Sequence, residues 1–187
     1  FYLPWVAGVL ANGKGAQDDV VMTVMLWRLD ADDIAGALEI ARYAMTYGLT
    51  MPTGRRPTPY LLAEEVALAA QRLRSAKQPV ELANLLDTLA LTERADMPDI
   101  VRAKLHKITG YVLCDAEQPT EALAHLQRAI QLDGAIGVRK DIEQLERQLR
   151  PKPEPAPKTK TIKPCVRKPA EKPAARRGRP PKAAKAA

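Results

Sequence analysis

The sequence predicts an all-α protein, and three observations predict it. Apolar residues recur at three- and four-residue spacing over helix-length segments, no segment alternates in the manner of a strand, and prolines fall where a helix begins rather than inside one. The expected architecture is a body of antiparallel helical hairpins, residues 1–150, followed by a disordered basic tail, residues 151–187.

The first helix is expected over residues 16–29. Asp18 and Asp19 suit its N-terminus, Val20, Val21, Val24, Met25 and Leu26 form a wide apolar face, and Trp27 is expected to anchor its end. The second, over 32–47, carries Ile34, Leu38, Ala41 and Met45 on one face, with Gly48 where a left-handed C-cap belongs. Residues 51–59 hold Pro52, Gly54, Pro57 and Pro59 and can only be a loop. Beyond it, helices are expected over 60–77, 80–94, 99–115, 120–132 and 138–149, punctuated by Pro79, Pro98, Pro119 and the turn from Gly134 to Gly137. The segments from Asp33 to Ala41 and from Pro119 to Ala129 share a small-residue-then-leucine pattern. It resembles tetratricopeptide hairpins, where alanines let antiparallel helices approach closely.

Charge divides the chain at Pro151. The body has 17 Lys and Arg against 20 Asp and Glu, a formal −3, whereas the tail has 12 against 2, a formal +10. With nine prolines and almost no large apolar side chains, the tail is expected to stay extended and to seek a polyanion, because releasing condensed counterions drives such association without a fold. It lacks the aromatic and leucine residues that would insert beneath lipid headgroups, which favours nucleic acid over a membrane. Its sharpest motif is Arg176-Arg177-Gly178-Arg179-Pro180-Pro181-Lys182, which resembles an AT-hook. The extended Gly-Arg-Pro core fits a narrow minor groove, and Arg176, Arg177, Gly178, Arg179, Pro180 and Lys182 are the expected DNA contacts. The alternative is unspecific phosphate binding by a basic tail.

No catalytic or metal-binding constellation is evident. Cys114 and Cys165 are far apart in sequence, which fits a reducing, cytoplasmic setting, and no window approaches the length of a membrane span. His106 and His125 lie on different expected helices without partner cysteines and are read as partly buried helix residues, not ligands; no metal is expected from them. Asn12-Gly13-Lys14-Gly15 lacks the spacing of a phosphate-cradling loop and is read as a turn. The acids Asp18, Asp19, Asp30, Asp32, Asp33, Glu64 and Glu65 fall at expected helix starts or on solvated faces. The chain opens on Phe1 rather than Met, which suggests a fragment or processed form.

Longer stretches resemble a known family. Gly15-Ala16-Gln17-Asp18-Asp19-Val20, the run from Trp27 to Asp33, the run from Gly36 to Ala44, Arg56-Pro57-Thr58-Pro59, Ala63-Glu64-Glu65-Val66-Ala67, the run from His125 to Asp133 and the run from Gly137 to Glu143 look like the small terminase subunit of temperate, contractile-tailed phages that package DNA from cohesive ends. The resemblance covers nearly the whole body and none of the tail, and family members extend further upstream. It implies a role in viral genome packaging in the cytoplasm of the bacterial host. The protein would mark double-stranded DNA at the cohesive-end site and hand it to the large, ATP-hydrolysing subunit, and would assemble with itself by analogy with other small terminases. The family is also described as an endonuclease subunit. No nuclease signature accompanies that description, so no catalytic residue carries over; were the chain to cut DNA, Asp18, Asp19, Asp30 and Asp33 would be the candidate acids, with Mg²⁺ as cofactor. A third reading is a helical-repeat adaptor whose tail meets DNA incidentally.

Overall fold

The computed structural model describes residues 2–52, 54 and 56–150; the tail, with the AT-hook-like motif, lies outside the described residues. Among the described residues there are eight helices and no strand: α1 Leu3–Asn12, α2 Asp19–Asp30, α3 Ile34–Tyr47, α4 Thr58–Ser75, α5 Leu82–Thr92, α6 Asp99–Asp115, α7 Pro119–Leu132 and α8 Arg139–Leu149.

Helix α1 was not anticipated from the sequence. It is short and starts with Pro4 in its first turn; Val6 is buried, and Val9 and Leu10 pack half-buried beside it. The Trp5 Nε1 donates to Asp18 Oδ2 at 2.9 Å, which ties α1 to the start of α2. Trp27 does not anchor the end of α2 as expected: it is 52% exposed, with its ring 5.6 Å from that of Tyr2. The buried face of α2 is instead Val21, Met22, Val24, Met25 and Leu29, with Val20 exposed. The 51–59 loop is shorter than expected, because Thr58 starts α4 and its buried hydroxyl donates to Leu49 O at 2.7 Å.

The helices pack as successive hairpins. Helix α2 pairs with α3, α4 with α5 and α6 with α7; the first members contact one another in the order α2, α4, α6, while α3 contacts both α4 and α5. Helix α8 closes the end against α7, and α1 lies on α2 and α3. This is the neighbour pattern of stacked helical hairpins. One apolar core runs from Val6 to Val112, and a second, of Leu113, Ala122, Leu126, Val138 and Leu145, fills the α6–α7–α8 end.

Four helices end in the same way. After α2, α3, α4 and α6 a residue turns left-handed, at Asp32, Gly48, Lys77 and Glu117, and the next amide reaches back five residues: Asp33 N to Arg28 O, Leu49 N to Ala44 O, Gln78 N to Leu73 O and Gln118 N to Leu113 O, all at 2.8–2.9 Å. The first and last of these turns join the α2–α3 and α6–α7 hairpins, so the two segments that share a sequence pattern also share a turn. Their alanines match in register, with Ala37 and Ala44 of α3 and Ala122 and Ala129 of α7 all fully buried. Gly110 permits the close α6–α7 approach: a Cβ there would sit 2.8 Å from the Leu126 side chain.

Candidate functional site

The four candidate acids sit at the two ends of α2. Asp18 is the N-cap, accepting from Val20 N at 2.9 Å and Val21 N at 3.0 Å, and Asp19 follows it in the first turn, accepting from Gln17 Nε2 at 3.0 Å. Asp30 ends the helix, and Asp33 caps α3 by accepting from Gly36 N at 2.9 Å, its other oxygen 3.6 Å from Arg28 Nη1. A helix of twelve residues separates the two pairs by about 17 Å, so a single ion cannot be shared among all four. Among the described residues no group of three or more His, Cys, Asp or Glu side chains is placed to hold a metal.

The second acidic cluster is bound up with arginines. Arg56 pairs with Glu64, and burial, then Glu64 and Asp30, push the Glu65 carboxyl above its usual range, with Arg72 and Arg56 opposing. Arg72 spans two helices, donating to Asp32 Oδ1 and to Leu29 O at 2.8 Å. Arg42 meets Asp87 at 2.6 Å and Arg74 meets Asp115 at 2.7 Å. The arginines of α2 to α4 are thus held by acids of the same body, and a surface built this way presents little net positive charge.

The turn at residues 13–15 is a packed corner. Gly15 N donates to Tyr43 Oη at 2.8 Å, and Cβ atoms at Gly13 and Gly15 would strike the Tyr43 hydroxyl and the Tyr47 ring. Its glycines serve close approach of the chain to two tyrosines, consistent with a turn and not a phosphate cradle. At the other end Tyr111 Oη donates to Asp141 at 2.9 Å, and the Arg74 guanidinium lies 4.9 Å from the ring centroid. Burial, then the Asp141 bond, pushes the Tyr111 hydroxyl up to about 12. Every buried side-chain nitrogen and oxygen among the described residues has a hydrogen-bond partner.

One pairing escaped the sequence. His106 on α6 and His125 on α7 meet, with Nδ1 atoms 3.1 Å apart and ring centroids 5.2 Å apart. Nineteen residues of separation carry no signal for such a contact; only the hairpin brings the rings together.

Comparison with known proteins decides the family. A family model described as phage small terminase subunit matches residues 1–100, which takes in α1 to α5. The chain is 63% identical over 185 residues to the terminase endonuclease subunit of Escherichia phage P2, covering 98% of this chain and 74% of that relative. The chain belongs to the phage small terminase subunit family. Its role is that of the small subunit in viral DNA packaging. The family model ends where α6 begins, and the match to the phage P2 relative extends over the α6–α8 end of this small terminase. No solved structure matches. No described helix is long and apolar enough to cross a membrane.

Proposed function

We propose that the helical body of this small terminase is the assembly part, docking on the large ATP-hydrolysing subunit and on further copies of itself, while residues 151–187 grip double-stranded DNA in the host cytoplasm. The observation that carries this reading is the division of charge: a formal −3 in the body against +10 in the tail. The ion pairs of Arg28, Arg42, Arg56, Arg72 and Arg74 support it, since they leave the body's α2–α4 surface with its arginines already engaged. Arg176, Arg177, Arg179 and Lys182 would enter the minor groove or meet phosphates beside the cohesive-end site, with Gly178 and Pro180 keeping the chain narrow.

The test is DNA binding by the intact chain and by a chain ending at Arg150, on cohesive-end and scrambled duplexes, across a salt series. With six phosphate contacts in the tail, truncation flattens the slope of log affinity against log salt by about 5 units. A truncated chain that keeps both its slope and its preference for the cohesive-end duplex would move recognition into the helices.

A second reading is favoured by the name of the phage P2 relative, terminase endonuclease subunit. Asp18 and Asp19 would then be the pair to test, in an Mg²⁺-supplemented cleavage assay with Asp18→Asn and Asp19→Asn. Cutting that survives both substitutions unchanged rules this acid pair out.

A further inference from the structure

We propose that this small terminase joins copy to copy head to tail: the acidic, aromatic face of α1 and α2 on one copy seats in the cationic cavity between α4 and α6 of the next. The inference rests on the reading of the body as the assembly part and names the two surfaces that meet.

The α1–α2 face carries an unusual share of exposed apolar side chains. Leu3 is 64% exposed, Trp5 56% and Trp27 52%, and these are the two tryptophans of the chain. Val20 is exposed two turns before Trp27, and the Tyr2 ring packs beside the Trp27 indole. Exposed apolar groups gathered in this way mark interaction surfaces, and tryptophan is the side chain that most often anchors them. Acids surround the face. Residues 1–50 hold 3 Lys and Arg against 6 Asp and Glu, whereas residues 51–150 hold 14 against 14, so the formal −3 of the body belongs to the segment that bears the two indoles. Asp30, one turn on from Trp27, is exposed and in no ion pair among the described residues.

The complementary surface is a cavity of about 540 Å³. Leu68, Ile108 and Ile136 give it apolar walls, Arg74, Lys104 and Lys107 give it charge, and no Asp or Glu lines it. Asp115 holds Arg74, but Lys107 donates to a carbonyl, Ile136 O, at 2.8 Å, which leaves its charge uncompensated. Lys104 is exposed and in no ion pair among the described residues. An indole carried beside a carboxylate suits both halves of this lining: the ring meets aliphatic walls and a lysine ammonium, and the carboxylate meets Lys104. A DNA backbone would use the charge and leave the apolar walls unmatched.

One copy does not satisfy itself, because α2 touches α4 and α4 touches α6, while neither α1 nor α2 touches α6. The two surfaces differ, so the contact is heterologous. A pair of copies leaves one face and one cavity open, and further copies add until a ring closes.

The test is sedimentation velocity on the DNA-free intact chain and on two variants made at exposed positions, Trp27→Ala with Asp30→Lys on the face and Leu68→Glu with Lys104→Glu in the cavity, each checked for helicity by circular dichroism. The unaltered chain is expected to form species larger than a dimer, and each variant alone to need at least about tenfold higher concentration to associate. An equimolar mixture of the two variants is expected to form a dimer and stop there, since it retains one good face and one good cavity. In the unaltered chain, tryptophan emission should shift to the blue on assembly, a readout that requires no variant to fold. Variants that assemble like the unaltered chain overturn this interface and leave the body's assembly role standing, as does assembly without an emission shift or a mixture that stays monomeric. An unaltered chain that remains monomeric up to about 100 μM overturns both the interface and self-assembly through the body.

Discussion

Asp18 carries three contacts at once: two amides at the head of α2 and the indole of Trp5. Replacing it with Ala removes the cap and is expected to cost about 1 kcal/mol, whereas Asn, which caps equally well, should cost far less; urea unfolding of the two variants measures the difference. The same pair informs the nuclease reading, because Asp18→Asn separates loss of a carboxylate from loss of a cap. Gly110 is constrained from the opposite direction. A Val there would drive its side chain into Leu126 and onto Ala122 O, and thermal melting is expected to show destabilisation of about 2–3 kcal/mol, well beyond the gain in helix propensity over Gly. The histidine pair makes stability depend on pH. His106 titrates near 4 in the folded protein and near 6.5 when unfolded, so the unfolded chain binds more protons between those values. The stabilisation is full above about pH 6.5 and falls as pH drops towards 4. Discounted for a ring that is only part-buried, the loss between pH 7 and 5 is about 1 kcal/mol, and denaturant midpoints at the two pH values should show it shrinking in His106→Gln.

At the scale of elements, the turn after each of four helices uses one left-handed residue, and only one of them is glycine. Asp32 offsets the conformational cost by pairing with Arg72 at 2.9 Å. Among the described residues Glu117, at the equivalent turn of the α6–α7 hairpin with φ at 59°, has no ion-pair partner. Glu117→Gly should therefore relieve strain worth about 1 kcal/mol, less the added freedom of the unfolded chain, and raise the melting temperature by a few degrees in a thermal scan. The same turn in Asp32→Gly is expected to gain less, because the Arg72 pair is lost with the carboxylate. Helix α8 belongs to the same comparison. It buries little beyond Leu145, so its hold on the body rests on the Tyr111–Asp141 bond and on Val138 at its entrance.

For the whole molecule, the two apolar cores of the described residues are built from side chains between Val6 and Leu145. A chain ending at Arg150 is expected to keep its helical circular dichroism and its melting temperature, while its charge falls from +7 to −3. A melting temperature several degrees lower in the shorter chain would show that the tail contributes to the body's stability. Oligomeric state can be followed in the same pair of chains by sedimentation, since assembly through the body should survive the loss of the tail.

The sequence by itself determined the helix count from α2 onward, the boundaries of α6 to the residue, the glycine cap of α3, the division of charge and the family. These are local or compositional properties: periodicity, caps and prolines act within a few residues, and charge is additive along the chain. What it could not determine is everything that depends on two distant segments meeting. Helix α1 is not legible in the sequence because it is short and holds the body through Val6, the half-buried Val9 and Leu10, and an indole bond to Asp18. Trp27 is expected from the sequence to anchor the end of α2, yet it is exposed and meets the Tyr2 ring instead. The stacking order of the hairpins and the meeting of His106 with His125 were decided by tertiary packing alone. Side chains nineteen residues apart feel each other only after a turn has folded one helix back along another.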